Sequence, residues 1–330
     1  MAKRQSVLPG LALLAAVAIA ASAIAAAVPR IDSLILAIAI GAILGNAVGV
    51  PAWAGSGIQT YSVVLETAIV LLGARIALDQ IATAGPVVVA LVVGVIAFGV
   101  LFVELLSRRV FDLSPTSGSL LAAGSSVCGV SAVVAVGSSI RANEDQLAYA
   151  AATVLLFDAV TLFAFPLAGS LLDLGPRTFG VWAGLSMFST GPVAAAGFAH
   201  SGVAGEWATI TKLVRNSFIG VLAVGYAAIY LRSSADDSVV NLRQLWTSFP
   251  KFLVGFLLVA TVANSGVLPA GSIESISTTA DWLFLVAFAG LGFDVRLSKM
   301  RDAGARPALV VLVYLVTVSV LALVAVTMLL

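Results

Sequence analysis

The chain has 330 residues, of which 61% are hydrophobic and only 10% are charged, with a mean hydropathy of +1.12. No soluble domain of this length hides so much apolar surface in one core, so the composition predicts a protein whose solvent is lipid. The formal net charge of +1 excludes a basic surface for nucleic acid, and the single cysteine, Cys128, excludes a disulfide framework or a metal site of several thiolates.

Eleven apolar runs, each bounded by Pro, Gly or charged residues, are long enough to cross a membrane as helices. The first run follows Lys3 and Arg4 and is too long for the core of a secretory signal, so we expect a spanning helix there. The runs cover residues 7–28, 32–50, 61–80, 86–107, 117–140, 146–171, 178–200, 207–231, 250–267, 277–295 and 307–330. The sequence therefore predicts an all-α polytopic membrane protein with about eleven transmembrane helices.

The distribution of Lys and Arg orients these spans. If the N-terminus is cytoplasmic, twelve of these residues fall inside and only Arg30, Arg75 and Arg141 fall outside, as the positive-inside rule requires. Eleven spans then place the C-terminus outside a cytoplasmic-type cell membrane. The hydrophilic stretch 232–248 reads as a cytoplasmic linker between an N-terminal membrane portion, 1–231, and a C-terminal membrane portion, 249–330. A plain surface loop is the alternative reading of that stretch.

Two stretches of the chain repeat each other at a constant offset. Residues 46–51 have a counterpart in 264–269, and the Gly/Leu pattern that starts at Gly73 returns at Gly292, with an offset of 218 to 219. The first copy lies within 31–108 and starts from the outside, whereas the second copy, in the C-terminal portion, starts from the inside. Inverted repeats of this kind are typical of secondary transporters.

The fifth span is interrupted by consecutive small and polar residues. Glycine weakens a helix, and serine hydroxyls can satisfy backbone groups that unwinding releases, so we predict a discontinuous helix. The amides that open its second half, with the positive end of the helix dipole, would suit a small anion. Close packing of small residues is the alternative. The candidate substrate-binding residues in this span are Ser125, Ser126, Cys128, Gly129 and Ser131.

The seventh span carries a second polar cluster directly before Pro192. Proline removes an intrahelical donor, so the cluster predicts either a second break or a simple kink. Ser186, Ser189 and Thr190 are therefore added to the candidate substrate-binding residues. Both interrupted spans run from inside to outside in this count, so the inverted repeat does not relate them.

Ionisable residues inside apolar spans are costly and usually face a cavity or a partner. Lys212, Arg215 and Asn216 share one face of the eighth span through i, i+3 and i+4 spacing. Their two positive charges either attract an anionic solute or neutralise a buried acid, and all three residues join the predicted site. The candidates for holding a coupling proton or cation are Glu66, Asp158 and Asp281.

Residues 124–132, 208–215 and 249–256 resemble the YeiH-type membrane proteins, also called putative sulfate exporters. The resemblance extends over nearly the whole chain. It implies the cation/proton antiporter and bile-acid symporter superfamily, with inverted repeats, crossed broken helices, frequent homodimers, and sulfate, an organic anion or a sulfonate as substrate. The chain departs from the family pattern in the seventh span, where Phe188, Ser189 and Pro192 stand in place of a His, an acid and a Gln.

Taken together, these features predict a secondary transporter that moves a small anionic solute by alternating access, with membrane lipid around it and without a cofactor or metal. A cation-coupled antiporter and a channel are the alternatives. An intramembrane hydrolase would need a base beside Ser125, Ser126 or Cys128, and the only histidine, His200, is predicted at the end of the seventh span. The sequence therefore does not favour an enzyme.

Overall fold

The computed structural model describes residues 7–28, 33–76, 78–234, 250–296 and 304–330, and every regular element in these ranges is helical. The helices are α1 Leu8–Ala27, α2 Ser33–Ala47, α3 Gly55–Ile58, α4 Tyr61–Leu72, α5 Leu78–Arg109, α6 Pro115–Ala123, α7 Val130–Ser139, α8 Glu144–Leu171, α9 Pro176–Ser186, α10 Thr190–His200, α11 Gly202–Asn216, α12 Ile219–Ser234, α13 Phe252–Asn264, α14 Ala270–Asp294 and α15 Ala305–Leu329. A 3-10 turn, Gly73–Arg75, follows α4, and a π turn, Gly124–Cys128, follows α6.

Seven segments among the described residues are long and apolar enough to cross a membrane. They are Leu8–Ala27, Gly55–Arg75, Gly85–Arg109, Glu144–Leu171, Gly202–Tyr230, Gly271–Asp294 and Ala305–Leu329. Large apolar side chains such as Leu101, Leu167 and Val221 are more than 60% exposed, as expected of surfaces that face lipid. The prediction of an all-α polytopic membrane protein is confirmed.

The contacts divide the chain into two compact units, one formed by residues 1–82 and 251–297 and the other by residues 83–250 and 298–330. Each unit thus combines segments from both sides of the predicted linker. Helix α12 continues to Ser234, which is beyond the predicted start of the linker at residue 232. The remainder of that linker, residues 235–249, lies outside the described residues.

Two equivalent helix crossings build the first unit. A Cβ atom added to Gly292 on α14 would lie 2.2 Å from the carbonyl oxygen of Ile38 on α2, and one added to Gly73 would lie 2.5 Å from that of Phe256 on α13. Gly73 and Gly292 are mates in the predicted repeat, and Ile38 and Phe256 share its offset of 218. Both crossings thus require the absence of a side chain at the same repeat position.

Two asparagines at equivalent positions of the repeat also make equivalent contacts. The Nδ2 of Asn46 donates to the carbonyl oxygens of Ala42 and Val295, at 2.8 and 2.7 Å. The Nδ2 of Asn264, its mate in the repeat, donates to those of Ala260 and Ile76, at 2.8 and 2.7 Å. Each copy of the repeat therefore closes a helix end of the other copy. The opposite membrane orientation of the two copies stays a prediction.

In the second unit, the fifth predicted span is a helical hairpin, here called hairpin 1, residues 115–139. Its arms α6 and α7 lie side by side, because a Cβ on Gly137 near the end of α7 would be 3.2 Å from Leu120 in α6, and one on Gly124 would be 2.7 Å from Val133. Helices running on in one direction would separate Leu120 and Gly137 by more than about 20 Å. The predicted interruption is present, but the prediction that this segment crosses the membrane is corrected.

The seventh predicted span is also a hairpin, here called hairpin 2, residues 176–200. The ring of Phe179 in the first turns of α9 stacks on the imidazole of His200 at the end of α10, with 4.1 Å between the ring centroids. The chain therefore reverses between the two helices, around Met187 to Ser189, and this settles the open choice between a break and a kink. Both hairpins begin with proline at the start of their first arm, Pro115 and Pro176, where the missing amide costs nothing.

The hairpins enter the second unit from opposite faces. Helix α8, whose 28 residues extend about 42 Å, starts just after hairpin 1, and its last turns pack on the base of hairpin 2, where Gly169 adjoins Phe179. Helices α11 and α12 then run back toward hairpin 1. The hydroxyl of Tyr230 on α12 lies 3.0 Å from that of Ser119 at the base of this hairpin. We call the base of hairpin 1 the first face of this unit and the base of hairpin 2 the second face.

Candidate functional site

The tips of the two hairpins touch inside the second unit. Gly129, at the turn of hairpin 1, has φ +61° and ψ −137°, a conformation open almost only to glycine. A Cβ atom there would lie 2.0 Å from the hydroxyl oxygen of Ser189 at the tip of hairpin 2. The backbone conformation and the contact with hairpin 2 thus require glycine for separate reasons. We call this contact region the tip junction.

A buried guanidinium holds the tip junction together. Arg215 of α11 is fully buried, and all its hydrogen bonds are donated to main-chain carbonyl oxygens of the two hairpins. In hairpin 1 the acceptors are Ser125 at 2.6 Å and Ser126 at 2.7 Å. In hairpin 2 they are Gly184 at 3.3 Å, Leu185 at 2.8 Å and Met187 at 2.7 Å.

The ammonium group of Lys212 also bonds to both hairpins, through fewer hydrogen bonds. Lys212 is also fully buried, and its Nζ donates to the carbonyl oxygen of Val127 in hairpin 1 at 2.7 Å and to that of Met187 in hairpin 2 at 3.2 Å. The last carbonyls of a helix lack intrahelical partners and carry the negative end of the dipole. The two cations therefore satisfy the C-terminal ends of the first arms, and their charge is directed at backbone oxygens.

One carboxylate accepts hydrogen bonds from the start of the second arm of hairpin 2, at the same tip. Asp158 on α8 is buried and accepts a hydrogen bond of 3.0 Å from the amide of Ser189 and a second, short one from the hydroxyl of Ser189. Ser189 is the N-cap residue of α10, so the negative charge lies at the positive end of that helix dipole. The amides that open α7 have no such carboxylate among the described contacts.

Three small polar groups lie where the tips meet. The Nδ2 of Asn216 donates to the hydroxyl of Thr190 at 2.9 Å, and the thiol of Cys128 is 3.7 Å from the same hydroxyl. Nearby, the hydroxyl oxygens of Ser126 and Tyr314 each lie 2.5 Å from the point where a Cβ of Gly99 would stand. The tip junction is thus polar and enclosed by helices α5, α11 and α15.

Ten of the eleven predicted substrate-binding residues come together at or beside this junction. The eleventh, Ser131, lies two residues beyond Gly129 as the second residue of α7, and it is the one of the eleven whose side chain is exposed. Ser125 does not face a solute, since its hydroxyl donates to the carbonyl of Leu121 in its own helix at 2.7 Å. Of the three acids, only Asp158 is in this unit. Glu66 is exposed on α4 in the first unit, where the carboxylate of Asp281 pairs with Arg75.

Sequence reasoning missed Tyr314, Gly99 and every backbone carbonyl of the junction. A lone tyrosine or glycine in an apolar helix gives no signal, and a carbonyl gives none at any position. Within the described ranges, no group of three or more His, Cys, Asp or Glu side chains is arranged to hold a metal ion.

A cavity of about 340 Å³ opens at the first face of the second unit, between the beginnings of α6, α8 and α15. Its polar lining consists of Ser117, Gln146, Tyr149 and Arg306, and Leu121 lines it on the side of hairpin 1. The cavity therefore reaches the base of that hairpin.

Similarity to known proteins assigns the chain to a family. A family model described as "Conserved hypothetical protein 698" matches residues 9–311. The chain is 34% identical over 314 residues to a UPF0324 membrane protein of Nitratidesulfovibrio vulgaris, covering 90% of the chain and 86% of the relative, and 31% identical over 290 residues to one of Bacillus cereus, covering 87% and 84%. It is 30% identical over 315 residues to the inner membrane protein YeiH of Escherichia coli K12, covering 93% and 89%. No solved structure matches the chain. The resemblance noted in the sequence is thus confirmed, and the chain belongs to the UPF0324 family of membrane proteins that includes YeiH.

Proposed function

We propose that this protein is a secondary transporter that binds a small anionic solute at the tip junction and moves it by alternating access. The observation that carries the proposal is the meeting of two helical hairpins that enter one unit from opposite faces. Irregular backbone at membrane depth occurs where it is buried in protein or lines a water-filled path. A site between two such hairpins can open to either side by moving one of them.

The preference for an anion rests on the helix that opens at Gly129. The first amides of a helix have no intrahelical partner and lie at the positive end of its dipole. At α10 this end already faces Asp158, so α7 is the better anion site. The exposed hydroxyl of Ser131 and the hydroxyl of Thr190, which Asn216 orients, are the side chains placed to contact a solute there.

The substrate class within small anions rests on the family resemblance alone, which favours sulfate, sulfonates or organic anions. For a coupling proton, Asp158 is the candidate that lies at the tip junction, whereas Glu66 and Asp281, the other candidates for a coupling proton or cation, belong to the first unit. The resemblance also favours a homodimer.

The hairpins also bear on membrane orientation. With two hairpins and nine complete crossings, a cytoplasmic N-terminus still gives an external C-terminus. Arg141 then moves to the cytoplasmic side and Arg177 to the outside, so the ratio of twelve to three is kept. We therefore propose that the first face of the second unit, which carries Arg108 and Arg306, is cytoplasmic.

The proposal is tested with the purified protein in liposomes and labelled sulfate, a sulfonate and small carboxylates, with and without proton or sodium gradients. Ser131→Ala and Thr190→Val should each lower uptake of the transported anion about tenfold, because each removes a hydrogen bond to a charged ligand. Ser138→Ala, on an exposed position of the same helix α7, is the matched control and should transport normally. Absence of transport for the whole panel, or normal uptake by both variants, would contradict the proposal.

A further inference from the structure

The ammonium group of Lys212 donates a hydrogen bond to one carbonyl oxygen of each hairpin tip. Its Nζ lies 2.7 Å from the oxygen of Val127 and 3.2 Å from that of Met187. These two residues are 60 positions apart in the chain and belong to different hairpins. The positive charge therefore lies between two interrupted helix ends and bonds to both.

Carbonyl oxygens of unwound helix ends are the ligands with which transporters hold alkali cations, as carbonyl rings do in cation channels. An ammonium group carries the same single charge and accepts the same oxygen ligands. In this protein the cation is covalently attached to α11, so it cannot leave the junction when a hairpin moves.

One carboxylate and one further cation lie near the ammonium group of Lys212. Lys212 interacts favourably with Asp158 and unfavourably with Arg215, and Arg215 shares the carbonyl of Met187 with it. A free monovalent cation in place of the ammonium would leave the total charge at this point unchanged, whereas a divalent ion would add a charge beside the guanidinium.

We propose that Lys212 fills a latent monovalent-cation site, so that the intact protein binds no free sodium or potassium between the hairpin tips. Shortening this side chain to alanine opens the site, and Na⁺ or K⁺ then binds to the carbonyl oxygens of Val127 and Met187, with water in the volume of the lost stem. The site does not depend on which solute is carried, and its test uses no transport measurement.

The experiment compares the full-length protein with Lys212→Ala and Lys212→Met in detergent. The unfolding temperature of each is measured in the chloride salts of sodium, potassium, ammonium and choline at equal ionic strength. Lys212→Ala should gain about 3 °C or more, saturably, in at least one of the small cations relative to choline. The intact protein should not distinguish the four salts. Lys212→Met should not distinguish them either, since its side chain keeps the volume of the stem and blocks the site.

Two results would overturn the proposal. The first is a folded Lys212→Ala protein whose unfolding temperature is the same in all four salts. The second is a Lys212→Ala protein that cannot be recovered folded in any of them, because a latent site should be rescued by a free cation of the same charge.

Discussion

The Nη1 of Arg215 donates a hydrogen bond of 2.7 Å to the carbonyl oxygen of Met187 at the tip of hairpin 2. The same guanidinium donates through Nε to the carbonyl of Ser126 in hairpin 1, also at 2.7 Å. A guanidinium stays charged and presents its donors in a rigid plane, so it fixes the two tips relative to each other. The junction should therefore depend on this side chain for its stability, before any solute is bound.

Replacing Arg215 by methionine should destabilise the protein by about 3 kcal/mol or more, because several buried carbonyls would lose a charged donor at once. The unfolding temperature of the purified protein measures this loss. Arg109→Met, at the exposed end of α5, is the matched control and should unfold at the temperature of the unmodified protein. Equal stability of Arg215→Met and the control would show that the carbonyls are satisfied without the guanidinium.

Asp158→Asn should loosen the start of α10. An amide of the same shape offers one acceptor oxygen where the carboxylate offers two, so Ser189 loses a partner and the helix loses the charge at its positive end. Hydrogen exchange of the amides at residues 189–193 should become faster, with a loss of about 1–3 kcal/mol in stability. Asp173→Asn, an exposed residue between α8 and α9, makes the same chemical change and should leave the exchange of α10 unaltered. Unchanged protection in Asp158→Asn would mean that this carboxylate does not cap α10.

Gly129→Ala should be among the most damaging single methyl additions in this chain. The new Cβ would require an unfavourable backbone conformation and would lie within 2.0 Å of the Ser189 hydroxyl, which together should cost about 2–4 kcal/mol. Gly225→Ala adds the same methyl to α12, where no atom lies within 4 Å, and should be neutral or slightly stabilising. The unfolding temperatures of the two variants test this prediction. Similar unfolding temperatures would contradict the tight contact between the tips.

The hairpins make a topological prediction that differs from a count of spans. Single cysteines at Ser114 and Asp145, which flank hairpin 1 and are exposed, should react with a membrane-impermeant maleimide from the same side of the membrane. Cysteines at Gly175 and Gly202, which flank hairpin 2, should react from the opposite side. Cys128 is buried, so the protein without an added cysteine should react little with the maleimide. Labelling of Ser114→Cys and Asp145→Cys from opposite sides would restore a spanning fifth helix.

The hairpins also remove a conflict that the sequence left open. If both interrupted segments crossed the membrane, they would run in the same direction and could not be mates in an inverted arrangement. As hairpins that enter from opposite faces, they have the relation expected of inverted copies. Hydropathy could not distinguish the two cases, because 25 residues suffice either for one crossing or for two half-crossings joined by a turn.

The amino-acid sequence by itself determined that lipid is the solvent, that the elements are helices, that the fifth span is interrupted and the seventh is broken or kinked before Pro192, and which cations share a face of the eighth span. These follow from local properties: apolar run length, the weakness of glycine and proline in helices, and the cost of a charge in an apolar span. Only the tertiary structure decided that the chain reverses at Gly129 and near Phe188, and that Lys212 and Arg215 donate to backbone carbonyls. Those carbonyls belong to residues up to 90 positions away, and main-chain oxygens are the same at every position of a sequence, so no local pattern could identify them.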